Sequence, residues 1–347
     1  MRGICALEKP TIRARASSAG GRISMQKLTT FCIAICVMKN ALIAIARQAS
    51  AKIFRARMAV NGGLALTSLF TSLFIVACSG SGDSSSAPPQ ATASTPPVAA
   101  SFPSNGATLH YVLDLPAGPG PFPAIVVGHG AGAVTTSEGA AHVPFLLGAG
   151  FAVLRYDKRG VGQSTGTYRG LSGANSETQI DELAGDMAAG VAFLKTRSEI
   201  DPRRIGLVGV SQAGWVMVSA AKKSPDVTFF VAIVGPVLPV GTNTYYENLP
   251  TNAPLDQNYA ALAQFTGNPG WDPLPVLREL NLPAIWLLGT DDRLVPTREC
   301  VRLLESLRQQ GHRYRFITYP CFGHNLSGSG ALYWPDVFAW MAQERIR

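Results

Sequence analysis

The stretch Gly209-Val210-Ser211-Gln212-Ala213-Gly214 sets one hydroxyl between small residues two positions away on each side, Gly209 and Ala213. An apolar run, residues 205–210, precedes it, and a helix-like segment follows to about residue 223. A sharp strand-to-helix turn needs small neighbours at those places and lifts the serine hydroxyl clear of the sheet. It also aims the Gln212 N–H and the start of the helix at the same point, where a developing negative charge would be stabilised. A serine at its free pKa is a weak nucleophile, so this chemistry requires a base that is held by an orienting acid.

Five histidines could supply the base: His110, His129, His142, His312 and His324. His110 lies in the first strand region, His142 in a helix-like stretch, and His312 in a polar turn. His129 opens a loop, His129-Gly130-Ala131-Gly132, after an early strand. His324 lies in Cys321-Phe322-Gly323-His324-Asn325, after the last strand-like run and before the last helix, where it can swing over the carboxyl edge of a sheet. With the chain order Ser, Asp, His, the acid falls after the run at 284–289. There Thr290-Asp291-Asp292-Arg293-Leu294-Val295-Pro296 offers two adjacent carboxylates.

At these residues the chain resembles the alpha/beta-hydrolase superfamily, whose acid loop reads Gly-x-x-Asp-x-x-Val-Pro. That resemblance assigns the acid to Asp292 and leaves Asp291 as a solvated neighbour. It assigns the base to His324 and the nucleophile to Ser211. The oxyanion donors it implies are the backbone N–H groups of Gln212 and of Ala131 in the His-Gly loop, with His129 shaping that loop. The loop Arg155-Tyr156-Asp157-Lys158-Arg159-Gly160-Val161-Gly162-Gln163-Ser164-Thr165-Gly166 also matches, and the resemblance gives Asp157 and Arg159 a loop-stabilising part. It covers roughly residues 105–347 and is nearest the dienelactone-hydrolase and serine-aminopeptidase-like esterases. One departure is Ala213 where a second glycine is usual.

The elements that must hold these groups alternate along the chain. Strands are predicted at 109–115, 124–127, 151–156, 205–210, 228–234, 284–289 and 314–319. Helices are predicted near 145–149, at 178–197 with Ile180, Leu183, Met187, Val191 and Leu194 at helical spacing, up to 223, near 297–310 and at 332–346. Buried runs between amphipathic helices imply an α/β fold: a mainly parallel sheet with helices on both faces. Residues 236–282 read as a small cap insertion, whose Tyr245, Tyr246, Tyr259, Phe265 and Trp271 either line a pocket or pack within the cap.

The net charge of +8 belongs to the leader. Residues 1–77 hold 11 Lys and Arg against the single acid Glu8, and residues 78–347 hold 19 against 21. A body near neutrality has no basic footprint for nucleic acid. Residues 64–77 are 14 uncharged, mostly apolar residues, short for a bilayer span of roughly 20 residues and suited to a signal-peptide core. They follow Lys52, Arg55 and Arg57 and end in Ile75-Val76-Ala77-Cys78, which resembles a bacterial lipobox. That resemblance implies lipidation at Cys78. Because Ser79 stands where an inner-membrane retention signal would be Asp, it also implies the outer membrane of a Gram-negative cell. Residues 78–104, rich in Ser, Pro, Ala and Gly, read as a flexible tether. Residues 1–57 fit this pattern poorly and suggest a start placed too far upstream, although a start at Met58 would lose the basic residues Lys52, Arg55 and Arg57.

No metal-ligand spacing or phosphate-binding glycine loop occurs, and a serine triad calls for no cofactor. Outside the leader and Cys78, the remaining cysteines are Cys300 and Cys321, and an oxidising compartment would allow them to pair. The function expected is hydrolysis of small-molecule carboxylic esters. A peptidase, amidase or thioesterase would use the same triad, and a non-enzymatic surface protein on a hydrolase scaffold is the remaining class. The oligomeric state has no signature in the sequence.

Overall fold

A computed structural model of the chain describes residues 98–346. The leader at 1–77, Cys78 and residues up to 97 lie outside the described residues. β1 (Val98–Ser104) and β2 (Ala107–Asp114) form an antiparallel hairpin. The two residues at its turn, Asn105 and Gly106, have φ of 26° and 73°, the left-handed geometry that matches strand twist in tight hairpins. β1 thus takes up the last seven residues of the stretch read as tether. Its composition is that of a linker, but Phe102 and Ser104 are buried on alternate positions. Phe102 stacks on Phe193 at 5.4 Å.

The chain continues through β3 (Phe122–Gly128), α1 (Val143–Gly148), β4 (Ala152–Tyr156), α2 (Ser176–Lys195), β5 (Ile200–Val210) and α3 (Ala213–Lys223). After β6 (Val227–Ile233) come three short helices, α4 (Val240–Glu247), α5 (Leu255–Leu262) and α6 (Pro273–Glu279). β7 (Ala284–Gly289), α7 (Thr297–Gln309), β8 (Tyr314–Tyr319) and α8 (Gly330–Gln343) complete the described residues. The eight strands lie in the order β1-β2-β4-β3-β5-β6-β7-β8. β1, β2 and β4 pair antiparallel and the other pairs are parallel.

Alternation along each strand divides the apolar residues between two cores. Ala124, Val126, Phe230 and Ala232 face α2, α3, α6 and α7. Ile125, Val127, Phe229 and Val231 face α1 and α8, where Tyr333, Trp334, Val337, Trp340 and Met341 recur at helical spacing. Both faces are covered, which is the requirement for a mostly parallel sheet. This is an alpha/beta-hydrolase fold. No helix among the described residues is long and apolar enough to cross a membrane.

The expected Cys300–Cys321 bridge is absent. Cys300 is a free thiol on the inner face of α7, fully buried against the backbone of Val237 and Leu238, and burial pushes it up to about 12. Cys321 sits in the turn after β8, with its N–H on Thr290 Oγ1 at 3.0 Å, and its disulfide partner is not Cys300. Closeness in the chain did not bring the two sulfurs together, because one faces the core and the other the sheet's edge.

Gly206 in β5 marks the tightest packing of the second core. A Cβ there would lie 2.2 Å from the Phe229 ring, and that ring is fully buried, edge-on to Phe151 and Trp340. Gly206→Ala should therefore destabilise the domain by about 2 kcal/mol, within the range for overpacking, read as a fall in thermal midpoint of the purified protein. A midpoint unchanged from the wild type would show that the ring can move aside.

Candidate active site

The turn after β5 carries Ser211 at φ 54°. A side chain in this left-handed region crowds its own backbone, at roughly 1–2 kcal/mol. Two features hold it there. The Ser211 N–H donates to Ile233 O on the next strand at 2.9 Å, and the Gly214 N–H returns to Ser211 O at 2.8 Å. The small neighbours are a steric requirement: a Cβ on Gly209 would stand 2.4 Å from the Ala213 methyl, and one on Gly128 would stand 2.9 Å from it. The alanine at 213 is admitted because 128 and 209 are both glycine.

Ser211, Gln212 and Ala131 line one cleft of about 410 Å³. Around Ala131 the backbone donors are almost all engaged. Gly130 N–H goes to Glu138 Oε1 at 2.9 Å and Gly132 N–H to the Tyr168 hydroxyl at 3.1 Å. Among the described residues the N–H groups of Ala131 and Gln212 have no partner, so both remain available to an acceptor in the cleft. The Ser211 hydroxyl likewise makes no hydrogen bond with the described protein, including none with His324. Nucleophile-to-base contacts of this kind commonly close only around a substrate.

At the sheet's carboxyl edge, His324 Nδ1–H donates to Asp292 Oδ2 at 2.9 Å. Asp292 is fully buried, and its other oxygen accepts the N–H groups of Leu294 and Val295 at 2.8 and 2.9 Å. Its carbonyl receives the Tyr246 hydroxyl at 3.0 Å. Asp291 is exposed; its carboxylate accepts only from the neighbouring Thr290 hydroxyl, and its N–H donates to Phe322 O in the loop after β8. The two loops can meet because residue 289 is glycine; a Cβ there would stand 2.3 Å from Phe322 O.

His129 is buried and donates through Nε2 to Tyr156 O at 2.6 Å. Burial, aided by the Lys158 charge, lowers its ring to about 4, so it is neutral and shapes the loop. Asp157 accepts the N–H groups of Thr136 and Gln163. Arg159 makes a fork with the fully buried Asp186, at 2.7 and 2.6 Å, and Ser104 adds a third bond. Among the described residues no cluster of His, Cys, Asp and Glu has metal-holding geometry.

Sequence reasoning passed over Lys158, which lies between those two. Its ammonium is almost fully buried and donates to Gly130 O at 2.8 Å, Gly132 O at 2.9 Å and Gln212 Oε1 at 3.2 Å. It thereby ties the Ala131 loop to the residue after Ser211. Burial lowers the ammonium to about 8, opposed by the Glu138 carboxylate. A lysine in a charged loop gives no sequence signal of burial. Of the two readings open for the five aromatics of the insertion, pocket lining and packing within the cap, the structure has the second. None lines the cleft; Tyr245 packs on Phe265 and Tyr246 on Tyr259, while Tyr168, Leu171, Trp215, Leu294 and Val295 form its apolar wall.

The geometry agrees with what the chain resembles elsewhere. The fold is shared with an esterase of Pyrococcus furiosus, at a TM-score of 0.55 and 17% identity, over 72% of this chain and 93% of that one. A thiohydrolase of Arthrinium phaeospermum is 36% identical over 85 residues, 24% of this chain and 26% of that protein. A protein of Methylorubrum extorquens, named as a candidate carboxymethylenebutenolidase, is 27% identical over 143 residues, 41% of each. The chain thus spans less than half the length of either curated relative. Residues 139–344, more than half of the chain, match the prolyl oligopeptidase family. Hydrolases of the esterase and peptidase kind share this fold and family, and the chain belongs to the prolyl oligopeptidase family.

Proposed function

We propose that the protein hydrolyses carboxylic esters through an acyl-enzyme on Ser211. The observation that carries this reading is the 2.9 Å contact of His324 with the buried Asp292. It joins the edge of a fold whose cleft holds a strained serine and two unpartnered amides.

In this mechanism Ser211 Oγ attacks the ester carbonyl carbon and His324 Nε2 takes its proton. The oxyanion accepts from the Gln212 and Ala131 N–H groups. Asp292 holds Nδ1–H and stabilises the imidazolium. The proton then passes to the departing alcohol. Water attacks the acyl-enzyme with His324 as base, releasing the acid and restoring Ser211. Lys158 acts as a positioning residue, since its three bonds set the spacing of the two oxyanion donors. Amide and thioester cleavage would follow the same steps, and the family name and the thiohydrolase relative keep both in view. The reading extends to a lipid anchor on Cys78, with the tether carrying the domain at the outer membrane.

Ser211→Ala should abolish turnover of p-nitrophenyl esters and labelling by a fluorescent alkyl phosphonate, with the circular dichroism spectrum unchanged. Turnover at the wild-type rate in that variant would refute the nucleophile. A panel that adds aminoacyl p-nitroanilides and thioesters ranks the substrate classes.

The two adjacent acids separate cleanly. Asp292→Asn should lower kcat by roughly four orders of magnitude through loss of imidazole orientation. Asp291→Asn should leave kcat within about twofold, as expected for an exposed carboxylate away from the reacting atoms. The reverse ranking would transfer the acid to Asp291.

For Lys158, loss of its proton near pH 8 should weaken its grip on the two carbonyls, so kcat/KM should fall on the alkaline side with a midpoint near 8. Lys158→Arg keeps the charge and should move that limb upward. Lys158→Met should lower kcat about 10- to 100-fold, somewhat less than removal of one oxyanion donor. An alkaline limb that is the same in all three proteins would remove Lys158 from the reaction.

A further inference from the structure

The insertion supplies one wall of the cleft through α4, which presents Asn243, Thr244, Glu247 and Asn248. These are two pairs spaced four residues apart and so share a face. Among the described residues that line the cleft, Glu247 is the one with a formal charge. The domain pairs its acids widely: Asp186 with Arg159, Asp226 with Lys195, Glu279 with Lys222, Glu344 with Arg313. The Glu247 carboxylate has no hydrogen bond or ion pair among the described residues. Partial burial raises its carboxyl above the ordinary range; His324 pulls it back and Asp292 adds to the rise.

Asn243 strengthens the negative character of that wall. It is buried, its Nδ2 is committed to Leu294 O at 3.1 Å, and its Oδ1 accepts from nothing. The buried Asn243 oxygen is unfavourable without a donor, and one turn on, the exposed Glu247 carboxylate offers a negative charge to the cleft. The cleft's other end has the opposite sign. The Lys158 ammonium is bonded to residues 130, 132 and 212, next to the Ala131 and Gln212 amides, and the Glu138 carboxylate on the Gly130 N–H offsets part of its charge. The cleft is therefore polarised, positive beneath the oxyanion loop and negative along α4.

Resting on the hydrolase reading above, we propose that Glu247 anchors a cation on the substrate: the cleft takes carboxylic esters whose acyl or alcohol part carries an ammonium or similar organic cation. The Lys158 charge repels that cation from the oxyanion end and directs it to α4, so the polarity of the cleft sets the direction in which the ester lies. The apolar wall at Leu171, Trp215, Leu294 and Val295 takes the carbon chain between the two ends.

The test compares p-nitrophenyl esters of γ-trimethylammoniobutyric acid and of its uncharged tert-butyl analogue, which match in shape and differ in charge. The wild-type protein should have the higher kcat/KM with the cationic ester, and Glu247→Gln should reduce the cationic-to-neutral ratio about tenfold, on the order of one screened charge pair in a cleft. Glu247→Lys should favour the neutral ester. Were Glu247 only tuning His324, both esters would fall together, and a ratio equal in wild type and Glu247→Gln overturns the proposal. Calorimetric titration of Ser211→Ala with butyltrimethylammonium reads the same site without turnover. Binding should weaken when Glu247→Gln is added, and heats that match in the single and double variants overturn the proposal. Cation binding that depends on Glu247, with neither ester hydrolysed, would remove the hydrolase reading and leave the cation site standing.

Discussion

Backbone-to-backbone contact at the ends of β3 and β5 and the start of α3 is the constraint from which the site follows. Gly128, Gly209 and Ala213 touch with almost no side chain between them; a Cβ on Gly209 would be 3.3 Å from Gly128 Cα and 2.4 Å from the Ala213 methyl. Only this closeness lets the chain reverse at Ser211 with φ at 54°. It also starts the 129–132 loop directly beside that reversal, so that two unpartnered amides from distant parts of the chain reach one cleft. The local strain is small beside the burial of two apolar cores, so the fold can sustain it.

The loops above the sheet are held by buried charge. Arg159 and Asp186 form a bidentate pair that Ser104 completes, and Asp157 accepts two backbone amides. Such pairs contribute little net stability because desolvation opposes them. Their worth here is directional: each fixes a loop whose backbone donors must point one way. Lys158 carries the same logic into the cleft wall, where a cation among carbonyl oxygens both braces the loop and adds a positive potential near the proposed oxyanion.

The insertion has two duties in one set of helices. Tyr246 braces the acid loop by its bond to Asp292 O, and Asn243 braces the next turn at Leu294 O. The same helix, α4, turns Glu247 to the cleft. A change in this helix that alters substrate preference therefore also loads the loop that orients His324. The coupling follows from contact between neighbours and needs no longer path.

Periodicity and turn chemistry by themselves determined most of the elements, since buried strands and amphipathic helices write their periods into contiguous residues. They singled out Ser211 between small neighbours, His324 between the last strand and helix, and the pair Asp291 and Asp292. Resemblance to a family pointed to Asp292, and the tertiary structure puts His324 against that carboxylate. What only the tertiary structure decided depends on which distant segments pack together. A serine- and alanine-rich stretch became β1 because Phe102 stacks on Phe193 of α2. Lys158 is buried because three carbonyl oxygens from two loops surround it. Cys300 is sealed in the core, away from Cys321, because α7 turns that face inward. The insertion's aromatics pack on one another and leave the cleft to Glu247 and its neighbours. A side chain's type is local, but its burial and partners are set by contacts between residues far apart in the chain, and no pattern of neighbours in sequence encodes those.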